Sequence, residues 1–211
     1  QPIFADSVGQ VGCAPQSVKV YWPKKINCGT IAADGSDFAV TGPSPVTIIG
    51  ASANCTDNKS DVITVTFASP ITVKGVYTLT LKTGNDGGTI TDICGLQSPT
   101  HTRTFTAVDT VSAAFNFITT LDCSFNTVNF SHDGAHDVNS WTWSFNGSTS
   151  NTRSNTRVFP AASTNTISLI VSNGVCKDTA TVTLNMNNEV NAEFTMPDII
   201  CPEDPLIVKN T

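Results

Sequence analysis

Residues 124–131, SFNTVNFS, 139–147, NSWTWSFNG, 165–173, NTISLIVSN, and 178–186, DTATVTLNM, each alternate apolar with polar side chains and are separated by Asn, Gly and Ser turns. Alternation with a period of two places one set of side chains on a buried face and the other on a solvated one, which is the pattern of a half-buried β-strand. Four such strands at short, regular spacing predict an antiparallel sandwich, with Trp141 or Trp143 as the aromatic centre of its core. Upstream, SVKVYW (17–22), DFAVTG (37–42), VTIIGASA (46–53), DVITVTFA (61–68), GVYTLTLKT (75–83) and RTFTAV (103–108) continue the pattern, with turns at TGPSP, DNKS and GNDGG. The expected fold class is all-β, with β-sandwich domains in tandem.

A repeat sharpens the domain boundaries. AFNFITTLDCSFNTVNFS at 114–131 and AEFTMPDIICPEDPLIVK at 192–209 align 78 positions apart, matching Ala114 to Ala192, Cys123 to Cys201, Val128 to Leu206 and Phe130 to Val208. A period of that length with one Cys per opening strand indicates an array of small domains. The expected organisation is a linker or preceding tail at 1–12, one domain over 13–108, a second over 109–188 and the start of a further repeat over 189–211. The chain opens QPIFADSVGQ without an initiator Met or signal segment, and it is expected to begin inside a longer protein. In 189–211, Phe194, Ile200, Leu206 and Val208 would form an apolar face that needs more chain, or another molecule, to cover it.

Composition excludes several classes. Only 13% of residues are charged and the net charge is −6, so a basic face for nucleic acid is not expected. No apolar run reaches the length of a membrane span, so no membrane insertion is expected in this segment. Seven Cys without a C-x-x-C pair point to disulfides in an oxidising compartment. Cys201, as the counterpart of Cys123, would find its partner beyond Thr211, leaving six Cys for three bridges. Cys13 and Cys28 flank the strand at 18–22, and an extended chain holds them too far apart to bond. That leaves two arrangements for the first domain: Cys28–Cys94 with Cys13–Cys55, or Cys13–Cys94 with Cys28–Cys55.

Trp141-Thr-Trp143-Ser-Phe145-Asn-Gly147 resembles the W-x-W-x-F-G-D-G motif of PKD (polycystic-kidney-disease-type) domains. Arg157-Val-Phe159-Pro160 followed by Thr166-Ile-Ser-Leu-Ile-Val-Ser-Asn173 is similar to the same family's H-x-Y-P-x-x-G-x-Y-x-V-x-L-x-V-x-N stretch. Asn146 departs from the motif's first Gly, and Ser148 from its acidic, Gly-rich turn. Ile26-Asn-Cys-Gly-Thr-Ile31, Asp34-Gly-Ser-Asp-Phe38, Gly75–Leu81 and Thr91-Asp-Ile-Cys-Gly95 resemble a bacterial Ig-like module of the kind found beside PKD repeats in large exported Bacteroidota proteins. The resemblance implies tandem Ig-like sandwiches, with the first strands of a further PKD-like repeat at the C-terminus. It also implies a Cys123–Cys176 bridge and, in the first domain, Cys28–Cys94 with Cys13–Cys55. Closing the 123–176 loop would contribute about 4 kcal/mol on the chain-entropy account.

No catalytic constellation stands out, and the chain is not expected to be an enzyme. His132-Asp-Gly-Ala-His136 has helical ligand spacing but lies among Gly, Asn and Ser, so it reads as a solvated turn. No metal site or cofactor is expected; Ca²⁺ held by Asp122, Asp133 and Asp137, as in some PKD loops, is the one candidate. Asn85-Asp-Gly-Gly88 precedes no helix and is a hairpin turn rather than a phosphate cradle. Tyr21 and Trp22 form a possible platform for sugar or peptide. Asp6-Ser7-Val, Asp109-Thr110-Val and Asp178-Thr179-Ala resemble the O-glycosylation acceptor of exported Bacteroidota proteins, which makes Ser7, Thr110 and Thr179 candidate modified sites.

The expected function is a non-catalytic shaft segment of a secreted or cell-surface repeat adhesin, exported by the type IX system and serving attachment or gliding. The alternative is an accessory spacer or carbohydrate-binding region of a secreted hydrolase. Expected partners are neighbouring repeats of the same polypeptide and an extracellular glycan, surface or protein.

Overall fold

A computed structural model describes residues 1–188, 194–195, 202–203, 205 and 209–210. The chain divides into two compact units. The first comprises Gln1–Ser112 together with Gly134–Ser140 and Val171–Asp178; the second comprises Ala113–Asp133, Trp141–Ile170 and Thr179–Thr211. Both are all-β.

The first unit contains β1 (Ser7–Val8), β2 (Ser17–Asn27), β3 (Phe38–Thr41), β4 (Ile48–Ser52), β5 (Lys59–Phe67), β6 (Gly75–Leu81) and β7 (His101–Ala107). They form a four-stranded sheet ordered β1-β2-β5-β4 and a three-stranded sheet ordered β3-β6-β7, antiparallel throughout. This strand order is that of a constant-type immunoglobulin sandwich. Period-two alternation builds the core. Val18, Val20 and Trp22 of β2 and Ile63, Val65 and Phe67 of β5 face Tyr77, Leu79 and Leu81 of β6 and Phe105 of β7.

β2 would carry its alternation straight through were it not for Pro23, which has no N–H to donate to the ladder. The pairing with β5 shifts register between Tyr21 and Ile26, residues 23–25 turn outward, and Ile26 returns to the core. Tyr77 stacks on Phe105 with ring centroids 5.6 Å apart, and its hydroxyl donates to the Val73 carbonyl and pairs with Ser44 Oγ. Gly42 lies flat against that ring. A Cβ at position 42 would come within 2.2 Å of it, so the close approach requires glycine.

Residues 1–12 are not a linker. Ile3 and Ala5 are buried in the core, β1 pairs with β2, and Ala5 N donates to His101 Nε2. The stretch is too short and too mixed in composition to show a strand pattern by itself.

The second unit's sandwich is built from β8 (Asn116–Thr120), β9 (Phe125–Ser131), β10 (Ser140–Phe145), β11 (Ser148–Ser150), β12 (Ser154–Pro160), β13 (Ala162–Ser172) and β14 (Lys177–Asn187). Its sheets run β12-β9-β8 and β11-β10-β13-β14. Asn146 and Gly147 join β10 to β11 with φ of 48° and 96°. Positive φ at both central residues is what a two-residue type I′ hairpin demands, and Asn-Gly is its preferred pair. The departure of Asn146 from the PKD-type motif therefore has a local structural role.

The core is aromatic. Phe130 sits 5.3–6.4 Å from the rings of Phe115, Phe117, Trp143, Phe145 and Phe159. Trp143, not Trp141, is the fully buried centre, and its Nε1 donates to the Thr152 carbonyl. Beyond it, β15 (Phe194–Thr195) pairs antiparallel with β16 (Lys209–Asn210). Most of the expected further repeat at 189–211, Cys201 included, lies outside the described residues.

Candidate functional site

The half-cystines are the first functional candidates, and their pairing differs from expectation. Cys28 bonds Cys55 with a Cα separation of 6.5 Å, and Cys13 bonds Cys176 at 4.9 Å. Cys94 and Cys123 carry no disulfide and are exposed. The expected Cys28–Cys94, Cys13–Cys55 and Cys123–Cys176 bridges are therefore replaced.

Strand register explains Cys28–Cys55. β2 ends at Asn27, paired with Lys59, and a tight turn bonded between Thr56 and Lys59 brings residue 55 back beside residue 28. Cys28 N then donates to the Asn58 carbonyl. Cys94 instead lies at the tip of a separate turn, where its amide and that of Leu96 donate to Asp92 Oδ1.

Cys176 is buried in the β13–β14 turn, where Asn173 Oδ1 accepts from the amides of Val175 and Cys176. That turn belongs to the first compact unit, as does Cys13. Cys123 lies two residues before the start of β9.

Polar contacts gather in the same unit. His136 Nδ1 lies 2.9 Å from Asp109 Oδ2, and Asn173 Nδ2 donates to the Asp109 carbonyl at 2.9 Å. Lys74 pairs with Asp137, whose carboxylate holds the Lys74 ammonium above its ordinary pKa. His136 and Asp137 both adopt left-handed φ near 60°, which turns their side chains toward these partners.

The reading of 132–136 as a solvated turn fails for His132. That ring is 3% exposed, and its Nδ1 accepts from Trp141 Nε1 at 3.2 Å. Asp122 accepts from the Ser124 amide in a local turn. Among the described residues, no three His, Cys, Asp or Glu side chains gather as a metal-ligand set.

The Tyr21–Trp22 platform is also corrected. Neighbours on a strand point to opposite faces. Tyr21 is 37% exposed, whereas Trp22 is 5% exposed and packs edge-on against His101. Of the candidate modified hydroxyls, Ser7 and Thr179 are exposed and Thr110 is half-buried. Ser7 Oγ donates to Asp6 Oδ2.

One group escaped sequence reading: the wholly buried Asp37, whose Oδ1 has no hydrogen-bond partner among the described residues. The motif Asp34-Gly-Ser-Asp-Phe38 carries, in sequence, no sign of the distant loop that faces it.

No protein-family model matches the chain, and no curated protein matches it. Among solved structures, the N-terminal part of the bacterial S-layer protein SbsC is similar at 17% identity over 89% of this chain and 45% of that chain, with a TM-score of 0.41. Surface layer protein SbsC domains 1–6 are similar at 11% identity over 93% and 42%, with a TM-score of 0.40. The FN1–FN3 domains of chicken CNTN1 are similar at 10% identity over 87% and 64%, with a TM-score of 0.32. The chain thus spans less than half the length of the two SbsC structures.

Proposed function

We propose that this chain is a non-catalytic structural segment of a larger secreted or cell-surface protein, serving as part of the shaft of a repeat adhesin used in attachment or gliding. The observation that carries this reading is the pair of successive immunoglobulin-type sandwiches combined with two cystines. Cross-links of this kind persist in oxidising, extracellular surroundings and stabilise small cores that supply little net stability alone. The adhesin assignment and export by the type IX route rest on the resemblance to PKD and bacterial Ig-like modules. The low charge content and the net charge of −6 accord with this reading. Among the described residues, no helix is long and apolar enough to cross a membrane.

The test applies antibodies raised against this chain to intact cells of the source organism, with a reducing immunoblot in parallel. The reading expects surface labelling, a band far above 22.2 kDa, and loss of attachment or gliding when the gene is deleted. Purely intracellular signal would refute it. A catalytic domain on the same polypeptide, with attachment unchanged, would assign the chain to an accessory role in a hydrolase.

A further inference from the structure

The Asp37 carboxylate lies where β3 and β6 end together. Phe38 pairs with Leu81, and Lys82 N donates to the Asp37 carbonyl, so residues 36 and 37 face the loop 82–88 across that end of the sheet. Asp37 is 0% exposed; Oδ2 accepts from the Ala32 amide at 2.8 Å, and Oδ1 is aimed at the open face of Gly84. A Cβ built on Gly84 would stand 2.8 Å from Asp37 Oδ1, 3.0 Å from Asp86 Oδ1 and 3.1 Å from Ser36 Oγ. Three oxygens from two distant loops thus converge on one side of a glycine.

The convergence is of acceptors. Asp86 Oδ1 accepts from the Gly88 amide, and Ser36 Oγ accepts from the Asn85 amide while its hydroxyl interacts with Asp34. Each keeps acceptor capacity, and none brings a proton to Asp37 Oδ1. Burial raises the Asp37 pKa against the Ala32 amide bond, and the Asp86 and Asp34 charges raise it further against the opposing charge of Lys82. A buried carboxylate oxygen facing a second carboxylate is costly unless positive charge or a donor is supplied. A groove of about 330 Å³ is lined in part by Asp34, Ser36 and Asn85, the immediate neighbours of these donors.

We propose that Asp37 Oδ1, the Asp86 carboxylate and Ser36 Oγ bind a divalent cation of the Ca²⁺ type at this corner of the first unit. The donors are all hard oxygens, with no imidazole or thiolate, which selects alkaline-earth over transition metals. Their irregular placement suits the adaptable coordination of Ca²⁺ better than the strict octahedron of Mg²⁺, with water completing the shell. Two carboxylates and one hydroxyl place the affinity in the range of extracellular modules, with Kd on the order of 10⁻⁴–10⁻³ M. Gly84 is part of the site, because a side chain there would fill the space between the donors.

The test uses the whole 211-residue chain, stripped with a chelator and titrated with CaCl₂ by calorimetry and by thermal melting. Wild type is expected to bind with a Kd in that range and to melt at a rising temperature as Ca²⁺ increases, with a smaller response to MgCl₂. Asp86→Asn, at an exposed position, is expected to fold normally and to weaken binding at least about tenfold, the loss expected for one of two charged ligands. Gly84→Ala is expected to abolish binding, and Asp122→Asn to leave it unchanged. Absence of any heat or melting shift up to about 10 mM Ca²⁺, well above the expected range, would overturn the proposal. Equal affinity in wild type and Asp86→Asn would overturn it as well.

Discussion

The two units start from the same seven-strand Greek key and close it differently. In the first, the fourth strand, β4, pairs with β5 and completes a β1-β2-β5-β4 sheet. In the second, the corresponding strand, β11, turns back at Asn146-Gly147 and pairs with β10 in the opposite sheet. The cores differ in kind as well. The first is mainly aliphatic, with Tyr77 and Phe105 stacked at one side and a cystine, Cys28–Cys55, fastening the end of β2. The second gathers five aromatic rings about Phe130, and none of its described cysteines is bonded within the unit. A small sandwich can therefore be stabilised by cross-linking its loops or by filling its centre with large rings, and this chain uses one solution in each unit.

Substitutions that remove each device test that contrast. Trp143→Ala empties the centre of the second core and takes away the partner of the Thr152 carbonyl. It should cost about 3–5 kcal/mol, the usual range for such a truncation. In calorimetry the transition of the second unit should fall while that of the first holds, and equal loss in both would break the contrast. Replacing Cys28 and Cys55 together by Ser opens a loop with a sequence separation of 27. This should cost the first unit about 3 kcal/mol on the chain-entropy account, read as a shift in urea midpoint. A smaller loss of about 1–3 kcal/mol is expected for Asn126→Ala. The fully buried Asn126 side chain accepts from the Asp122 amide and donates to Asn188 Oδ1 and Met186 Sδ.

The mildest effect concerns pH. Burial raises the folded-state pKa of Asp37 above 3.8, its unperturbed value; the Ala32 amide opposes the rise, Asp86 and Asp34 add to it, and Lys82 opposes it weakly. The protonated acid is thus favoured in the folded state. This stabilising contribution is fully present below pH 3.8 and is lost as pH rises through the folded-state pKa. Denaturation midpoints of the chelated chain should show the first unit weakening across that window. Asp37→Asn should flatten the trend, and a slope unchanged in that variant would remove Asp37 as its source.

Alternation made the long strands legible. Val18/Val20, Ile63/Val65/Phe67, Tyr77/Leu79/Leu81 and Ile167/Leu169 all point inward as their spacing requires. β1 was not legible because two residues carry no period, and the burial of Ile3 and Ala5 comes from tertiary contact. β11 is a three-residue polar edge strand, announced only by its Asn-Gly turn. Cystine pairing depends on register: one shift at Pro23 and the turn at Thr56–Lys59 decide that Cys28 meets Cys55, and no spacing rule contains either. The Tyr21–Trp22 pair was readable in principle, since adjacent strand residues cannot share a face. The Asp37–Asp86 corner was not, because its loops lie almost 50 residues apart in sequence.

One cystine closes the end of β2 while the other ties the N-terminal segment to the β13–β14 turn, and disulfide mapping reads both cross-links at once. The oxidised chain would be alkylated, cleaved without reduction and analysed by mass spectrometry. Cys28–Cys55 and Cys13–Cys176 cross-linked peptides are expected, with Cys94 and Cys123 alkylated. A Cys123–Cys176 peptide, with Cys13 alkylated or paired with Cys55, would contradict it.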